Sequence, residues 1–428
     1  MAFTQIGSNI TGGTSFGRSV SLSSDGSVVV IGASSISGAS IYEWNSGTSS
    51  WQQRGSDLSG EGGASDFFGS AVSISSDGNT VAIGATNNDG GGADSGHVRL
   101  YNWDGTNWNQ LGSDLDGTAA NDRFGTSVSL SNDGSIVAIG ANENTGTDGS
   151  EDGYTRIYEW NSETSSWAQL GSDIDGAAHL DWSGSAIDLS EDGHTLAIGS
   201  KGSDLPGDGA GHTSIYNWNG SAWSKVGADI TGEAAGDASG AINSIAISND
   251  GTIVAIGGWK NDGGGDNAGH TRIFKWDGSS WNQLGSDIDG ETAGDRSGSV
   301  SVSANGETLA IGAWKNDGGG TESGHARIYR WNGSDWVKTG DDIDGLGTSD
   351  WAGYSVSLSE DGNTLAVGTG VLENYVQVFD LGLDVAAPGF SSAATSTDGT
   401  KVVLTYNEAL SSTTAATSDF AVTTDGSA

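Results

Sequence analysis

The chain lacks cysteine altogether, has two prolines, and carries only 16 lysines and arginines in 428 residues. Without cysteine there is no disulfide framework, no thiolate metal site and no cysteine nucleophile. With so little proline, the 72 glycines are not the signature of a proline-rich disordered chain; beside a hydrophobic content of 34% they mark many tight turns. The shortage of cations against 55 aspartates and glutamates leaves a formal net charge of −39. A field of that sign repels phosphate backbones and anionic lipid and attracts divalent cations, so nucleic acid is the least expected partner. No apolar run reaches the length of a membrane span, and the opening MAFTQIGSNITGG has neither the basic nor the apolar region of a signal peptide. Membrane insertion is therefore not expected, and any export signal lies outside these residues.

What is present is a repeat. Asp25, Asp77, Asp133, Asp192, Asp250, Asn305 and Asp361 occupy one slot, each before a glycine, 52 to 59 residues apart. Around that slot, FGTSVSLSNDGSIVAIGA (124–141) alternates, turns at Asp-Gly and continues as a second apolar run, which is a β-hairpin signal. A Gly/Asp/Asn loop, TRIYEW (155–160), a polar turn and WAQLGSDI (167–174) supply a second hairpin. Each unit reads as four antiparallel strands, A to D, and seven such units predict an all-β, seven-bladed β-propeller over residues 1–382. The last unit offers A, B and C only, while TQIGSNITG (4–12) resembles the D-strand ends NQLGSDLDG, AQLGSDIDG and NQLGSDIDG. The N-terminal strand is thus expected to close the ring on the seventh blade, since an unpaired sheet edge is a liability. Residues 383–390 read as a linker, and 391–428 as a truncated β module with strand-like runs at 401–406 and 420–423.

The unit FGTSVSLSNDGSIVAIGA resembles the FG-GAP repeat of integrin α-subunit propellers and their bacterial relatives. Phe-Gly stands at Phe16, Phe68 and Phe124; elsewhere the aromatic is replaced, in WSG at Trp182, ASG at Ala238, RSG at Arg296 and WAG at Trp351. Integrin-type repeats carry a calcium loop between the first two strands, but here that position holds only the two-residue turn, so that calcium site is not carried over. The tail 396–426 resembles a flagellar-system-associated repeat of the surface protein that marine cyanobacteria need for swimming. It implies an Ig-like β module in a large, modular bacterial protein at the cell surface or outside the cell.

Two sets of residues are candidates for binding. In the D-to-A connections, aspartates recur as triples: Asp114, Asp116 and Asp122; Asp173, Asp175 and Asp181; Asp287, Asp289 and Asp295; Asp342, Asp344 and Asp350. Three carboxylates on a glycine-containing loop suit Ca2+, which takes six to eight oxygens; the alternative is that they cap turns through their own backbone N–H groups. Of 16 tryptophans, twelve pair across the C–D turn, where sealing blades outweighs stacking on sugars. Trp259 and Trp314, in GWKNDGGG and AWKNDGGG, are less regular and are the ligand-contact candidates. Four histidines, His97, His212, His270 and His325, share a slot before strand C; blades hold them too far apart for one ion, and a structural hydrogen bond is the reading favoured.

No catalytic arrangement stands out from the repeat, and enzymes usually break their own symmetry to build one site. The expected function is a non-enzymatic adhesion or recognition propeller, monomeric within a longer chain, binding an extracellular protein or polysaccharide through the D–A and B–C loop face, with Ca2+ as a candidate cofactor. A lectin-like propeller and, less favoured, a polysaccharide-active enzyme are the alternatives.

Overall fold

The structure is a computed structural model that describes residues 2–144, 152–370 and 374–383, with the backbone of 390–395 and 402–406. Residues 1–383 form one compact unit and 384–428 another. The first is a seven-bladed β-propeller whose blades span 16–53, 68–110, 124–169, 183–225, 245–283, 297–344 and 355–380. Blade 2 shows the pattern: Phe68–Ile74 (A), Thr80–Ala85 (B), His97–Trp103 (C) and Trp108–Gln110 (D) hydrogen-bond in that order. No α-helix occurs among the described residues, and only two short 3-10 turns interrupt the strands.

The A–B turn forms for a local reason. Asp25 Oδ1 accepts from the Ser23 hydroxyl and the Ser27 N–H, both at 2.9 Å, while Gly26 takes the positive φ of 69°. The same Ser-x-Asp-Gly lock recurs at Asp77, Asp133, Asp192, Asp250 and Asp361. At these turns the blades join hands: Ser24 N–H donates to the Ser76 carbonyl, Ser76 to Asn132, Asn132 to Glu191, Glu191 to Asn249, Asn249 to Ala304, Ala304 to Glu360 and Glu360 back to Ser24, at 2.8–3.0 Å. Seven bonds in a circle fix the blade number.

Strand B of each blade is the core. Val28–Ala33, Thr80–Ala85, Ile136–Ala141 and Thr308–Ala313 are buried throughout, because both faces pack on neighbouring blades. Such strands read as continuous apolar runs for that reason. At the outer edge the paired tryptophans, with ring centroids 5.3–5.6 Å apart, seal one blade to the one before it. The second indole of each pair donates to a main-chain carbonyl of the preceding blade, as Trp108 does to Arg54 (2.7 Å) and Trp336 to Leu284 (2.9 Å). Trp51 of blade 1 donates to Ile6 at 2.9 Å. Thr4–Gln5 and Ile10–Thr11 lie antiparallel to Tyr375–Asp380, pairing Thr4 with Asp380 and Ile10 with Val376.

In the second unit, Phe390–Thr395 pairs antiparallel with Val402–Tyr406. The expected strand at 401–406 thus pairs with a segment that the sequence divided between linker and module; the run 420–423 lies outside the described residues.

Candidate ligand-binding mouth

The aspartates of the D-to-A loops divide by role. Asp122, Asp181, Asp295 and Asp350 are buried. Their carboxylates collect backbone N–H groups of their own loop: Asp122 from Thr118 and Ala119 (3.0 and 2.9 Å), Asp181 from Ala177 and Ala178, Asp295 from Glu291 and Thr292, Asp350 from Gly347. Asn144 and Asn316 side chains add bonds to Asp122 and Asp295, and the Tyr375 hydroxyl adds one to Asp350 at 2.6 Å. Asp114 and Asp173 instead form two-pronged pairs with Arg99 (2.9 and 2.8 Å) and Arg156 (2.7 and 2.6 Å). Asp342 meets Arg327 and Lys338, and Asp287 meets Gln283. Asp116, Asp175, Asp289 and Asp344 are exposed beside strand C, the first three on two-residue strands and Asp344 at the end of Trp336–Asp344. Burial and a neighbouring carboxylate raise the carboxyls of Asp116, Asp175 and Asp289 above the usual range.

Among the described residues, two groups bring three ligand atoms within 4.8 Å: Glu233, His270 and Asp287, and Glu291, His325 and Asp342. Each takes one aspartate from the sequence-derived set, and neither is one of the triples. A guanidinium occupies each group, Arg272 beside Glu233 and Arg327 between Glu291 and Asp342. The histidines are buried, and burial lowers all four below the usual imidazole range, His270 to about 4. The hydrogen bond expected for the slot is absent at His270, where neither ring nitrogen has a partner.

Trp259 and Trp314 stand where strand B ends and the loop to C begins, at one mouth of the bore. They are half-buried, with ring centroids 6.4 Å apart, and the Arg296 guanidinium lies 4.7 and 5.0 Å from them. Lys260 stands over Trp259 (4.7 Å), and Lys315 over Trp314 and Trp351 (5.3 and 5.4 Å). Trp314 also meets Trp351 and Tyr354 edge-on, and Arg18 lies over Tyr354. On blade 4, Lys201 lies over Trp182 at 4.8 Å. Alternating cations and rings hold each other in place, each contact worth about 0.5–2 kcal/mol.

Sequence reasoning missed most of this cluster, and the reason is a register. Ser183, Ser239, Ser297 and Ala352, not Trp182, Ala238, Arg296 and Trp351, fill the slot of Phe16, Phe68 and Phe124. The preceding residue, Ser15, Phe67, Arg123, Trp182, Ala238, Arg296 or Trp351, takes a left-handed conformation with φ between 52° and 61°. That slot begins strand A and borders the mouth.

The repeat also breaks its symmetry here, contrary to the expectation of uniform blades. The serine opening the A–B turn stands six positions after the strand-A glycine at Gly17, Gly69, Gly125, Gly184 and Gly353, but eight after Gly240 and five after Gly298. The additional length puts Ile242, 43% exposed, and Asn243, with φ 62°, across the mouth. Asn243 holds that position by donating its side-chain amide to the Tyr354 carbonyl (3.1 Å) and accepting from Val300 N–H (2.9 Å). Beneath it the bore is lined by serines and small apolar side chains with one carboxylate, Asp188. Above it lie a cup of about 170 Å³, bounded by Lys201, Trp259, Ser299, Trp314 and Tyr354, and a wider one of about 320 Å³ reaching Arg18 and Arg123.

Residues 51–101 and 115–155 match the FG-GAP repeat family. These stretches run from strand D of blade 1 to strand C of blade 3. No curated protein matches the chain. No helix among the described residues is long and apolar enough to cross a membrane.

Proposed function

We propose that the propeller is a non-enzymatic recognition or adhesion head, working at a bacterial cell surface or outside the cell as part of a modular protein. The single observation that carries this reading is the ring of tryptophans and cations at the mouth. Large rings and guanidinium groups are the side chains that dominate binding energy at interfaces, and here they gather where the repeat departs from its own pattern. The bore supports the same reading, since its lining offers one carboxylate and no histidine among the described residues, whereas acid–base hydrolysis of a glycoside needs a pair. The FG-GAP repeats are compatible with recognition, and the resemblance of the tail to a flagellar-system-associated repeat is what favours a bacterial surface and an Ig-like second module.

In this reading the N-terminal segment acts as the outer strand of blade 7 and holds the ring shut. Calcium enters as a counter-ion of the exposed aspartates Asp116, Asp175, Asp289 and Asp344, because the buried carboxylates already have N–H partners; calorimetric titration that gives neither heat nor a rise in Tm removes it. The mouth is tested by retention of the whole chain on bacterial cells and their extracellular matrix. Trp259→Ala with Trp314→Ala is expected to abolish retention while the circular dichroism spectrum is kept. Undiminished retention contradicts a recognition role for the mouth.

A further inference from the structure

The geometry points to an acidic saccharide, a pyranose bearing a carboxylate or sulfate, as the ligand of the mouth, seated in the cup between Lys201 and the rings of Trp259, Trp314 and Tyr354. This inference rests on the recognition reading above and names its ligand class.

Charge is the first observation. In a chain of net charge −39, six cations, Arg18, Arg123, Lys201, Lys260, Arg296 and Lys315, stand around one opening. Elsewhere the buried arginines are tied to carboxylates, as Arg99 is to Asp114 and Arg156 to Asp173. At the mouth, Arg123 pairs with Glu143 and Lys315 with Glu322, but no carboxylate comes within ion-pair distance of Arg18, Lys201, Lys260 or Arg296 among the described residues. Lys201 is half-buried with no carboxylate within ion-pair distance, and burial holds its ammonium below the usual lysine range against the opposing charge of Glu143. An unpaired buried cation is costly in a protein that has carboxylates to spare, and a ligand anion removes that cost. The opposite opening has the reverse sign, with Glu191, Asp133 and Asp192 around it.

The second observation is an open hydrogen-bonding position. Ser299 is 6% exposed and borders the cup, and its hydroxyl has no partner. It stands in the blade that is one residue short, directly after Gly298. The hydroxyls of Thr155, Thr213, Ser239 and Thr271 are likewise buried without a partner, and of these five Ser299 is the one that lines the cup.

The third is the chemistry of the walls. A sugar presents an apolar C–H face and a rim of hydroxyls. The indoles of Trp259 and Trp314 supply the flat apolar surface. Hydroxyls and amides line the wider cup beside it, including Ser70, Thr86, Asn87, Thr126 and Asn142, and the two cups share Lys201, Ile242, Asn243 and Tyr354. Ser70, Thr86, Thr126 and Asn243 already hydrogen-bond within the protein, and their remaining lone pairs and N–H groups are positions that the hydroxyl rim of a sugar can engage. The cup between the indoles, about 170 Å³, holds one charged ring, and the adjoining cup of about 320 Å³, which reaches the lower bound typical of small-ligand sites, roughly 300 Å³, gives room for the residues that follow it. Ile242 and Asn243 floor it, so it receives a chain end or a side branch. The acidic body repels an extended polyanion, which selects against long, densely charged polymers.

The test is calorimetric titration of the full chain with trisaccharides of galacturonate and of mannuronate and with a sulfated galactan trisaccharide. The methyl-esterified galacturonate and a hexaglutamate peptide serve as controls. At least one acidic saccharide is expected to bind with one site per chain, and loss of its charge by esterification or desulfation to weaken it at least tenfold. Lys201→Gln, which keeps a polar side chain without the charge, is expected to weaken it roughly tenfold, the effect of losing one hydrogen bond to a charged group, with the Tm of the free protein kept or raised because the unpaired charge is gone. The inference is overturned if none of the three binds at millimolar concentration, or if Lys201→Gln binds as the parent does. It is overturned too if the peptide binds and the saccharides do not, or if neutral and charged forms bind alike. In those last two cases, sensitivity of the binding to Trp314→Ala leaves the recognition reading standing, whereas retention on cells that ignores Trp259 and Trp314 removes that reading itself.

Discussion

Asp188 occupies a place in the bore that serines fill in other blades. Ser73, Ser129, Ser301 and Ser357 each accept a backbone N–H from the next blade, as Leu130 donates to Ser73 and Leu358 to Ser301. Asp188 accepts the Ile247 N–H at 2.8 Å and the Ser129 hydroxyl at 3.0 Å. Burial pushes its carboxyl up to about 6, against the opposing effect of these bonds. A folded-state pKa above the unfolded value of about 3.9 means that the folded chain holds this proton more tightly. The resulting stabilisation is complete below about pH 4 and is lost as pH rises through about 6. From pH 5 to 7.5 the parent should therefore lose about 1–3 kcal/mol relative to Asp188→Asn, read as a growing Tm difference; parallel curves would refute it. The buried histidines titrate in the opposite sense, since burial lowers them, and they cancel in that comparison because both proteins carry them. Asp295 makes a second residue-scale case. Asp295→Ala strands the N–H groups of Glu291 and Thr292 and the Asn316 amide, and should cost about 2–3 kcal/mol in urea unfolding. The aspartate slots were legible in the sequence, but which carboxylate turns inward was not, because that depends on backbone N–H groups that only the folded loop aims at one point.

At the scale of the strand and the loop, hairpins were readable because two physical signals coincide: alternation of side chains, and an Asp-Gly pair able to take a tight turn. The mouth was less readable for a complementary reason. Its residues come from four different slots, the end of strand B, the residue before strand A, the residue after the strand-A glycine and the insertion in blade 5, and no slot by itself departs from the repeat by much. The distance from glycine to serine was the signal available, eight positions in blade 5 and five in blade 6 against six elsewhere. Removing Ile242 and Asn243 together gives blade 5 the common length. That deletion is expected to keep the β-sheet circular dichroism spectrum and to lose binding of the acidic trisaccharide, because the floor of the cup goes with it. Binding retained at parental affinity would place the ligand elsewhere.

At the scale of the whole molecule, the seven turn-to-turn hydrogen bonds run right round the ring while paired tryptophans seal six of its junctions, and the junction between blades 7 and 1 is where the two ends of the propeller meet. There the strands at 4–5 and 10–11 pair with Tyr375–Asp380, and the Ile6 carbonyl receives the Trp51 indole. Removing residues 2–12 exposes the edge of 375–380 and strands that indole, so Tm should fall by several degrees with a less cooperative transition; an unchanged melting curve would show that the ring holds without the segment. The charge of the molecule is organised on the same scale, acidic over the body and basic at one opening of the bore, and the account of function depends on that polarity. It is tested most directly by hydrogen–deuterium exchange of the full chain with and without an acidic trisaccharide. Protection confined to the mouth, at 182, 201, 242–243, 259–260, 296–299, 314–315 and 351–354, is predicted. Protection at the opposite opening, around 132–133, 191–192 and 249, or none at either, would contradict it.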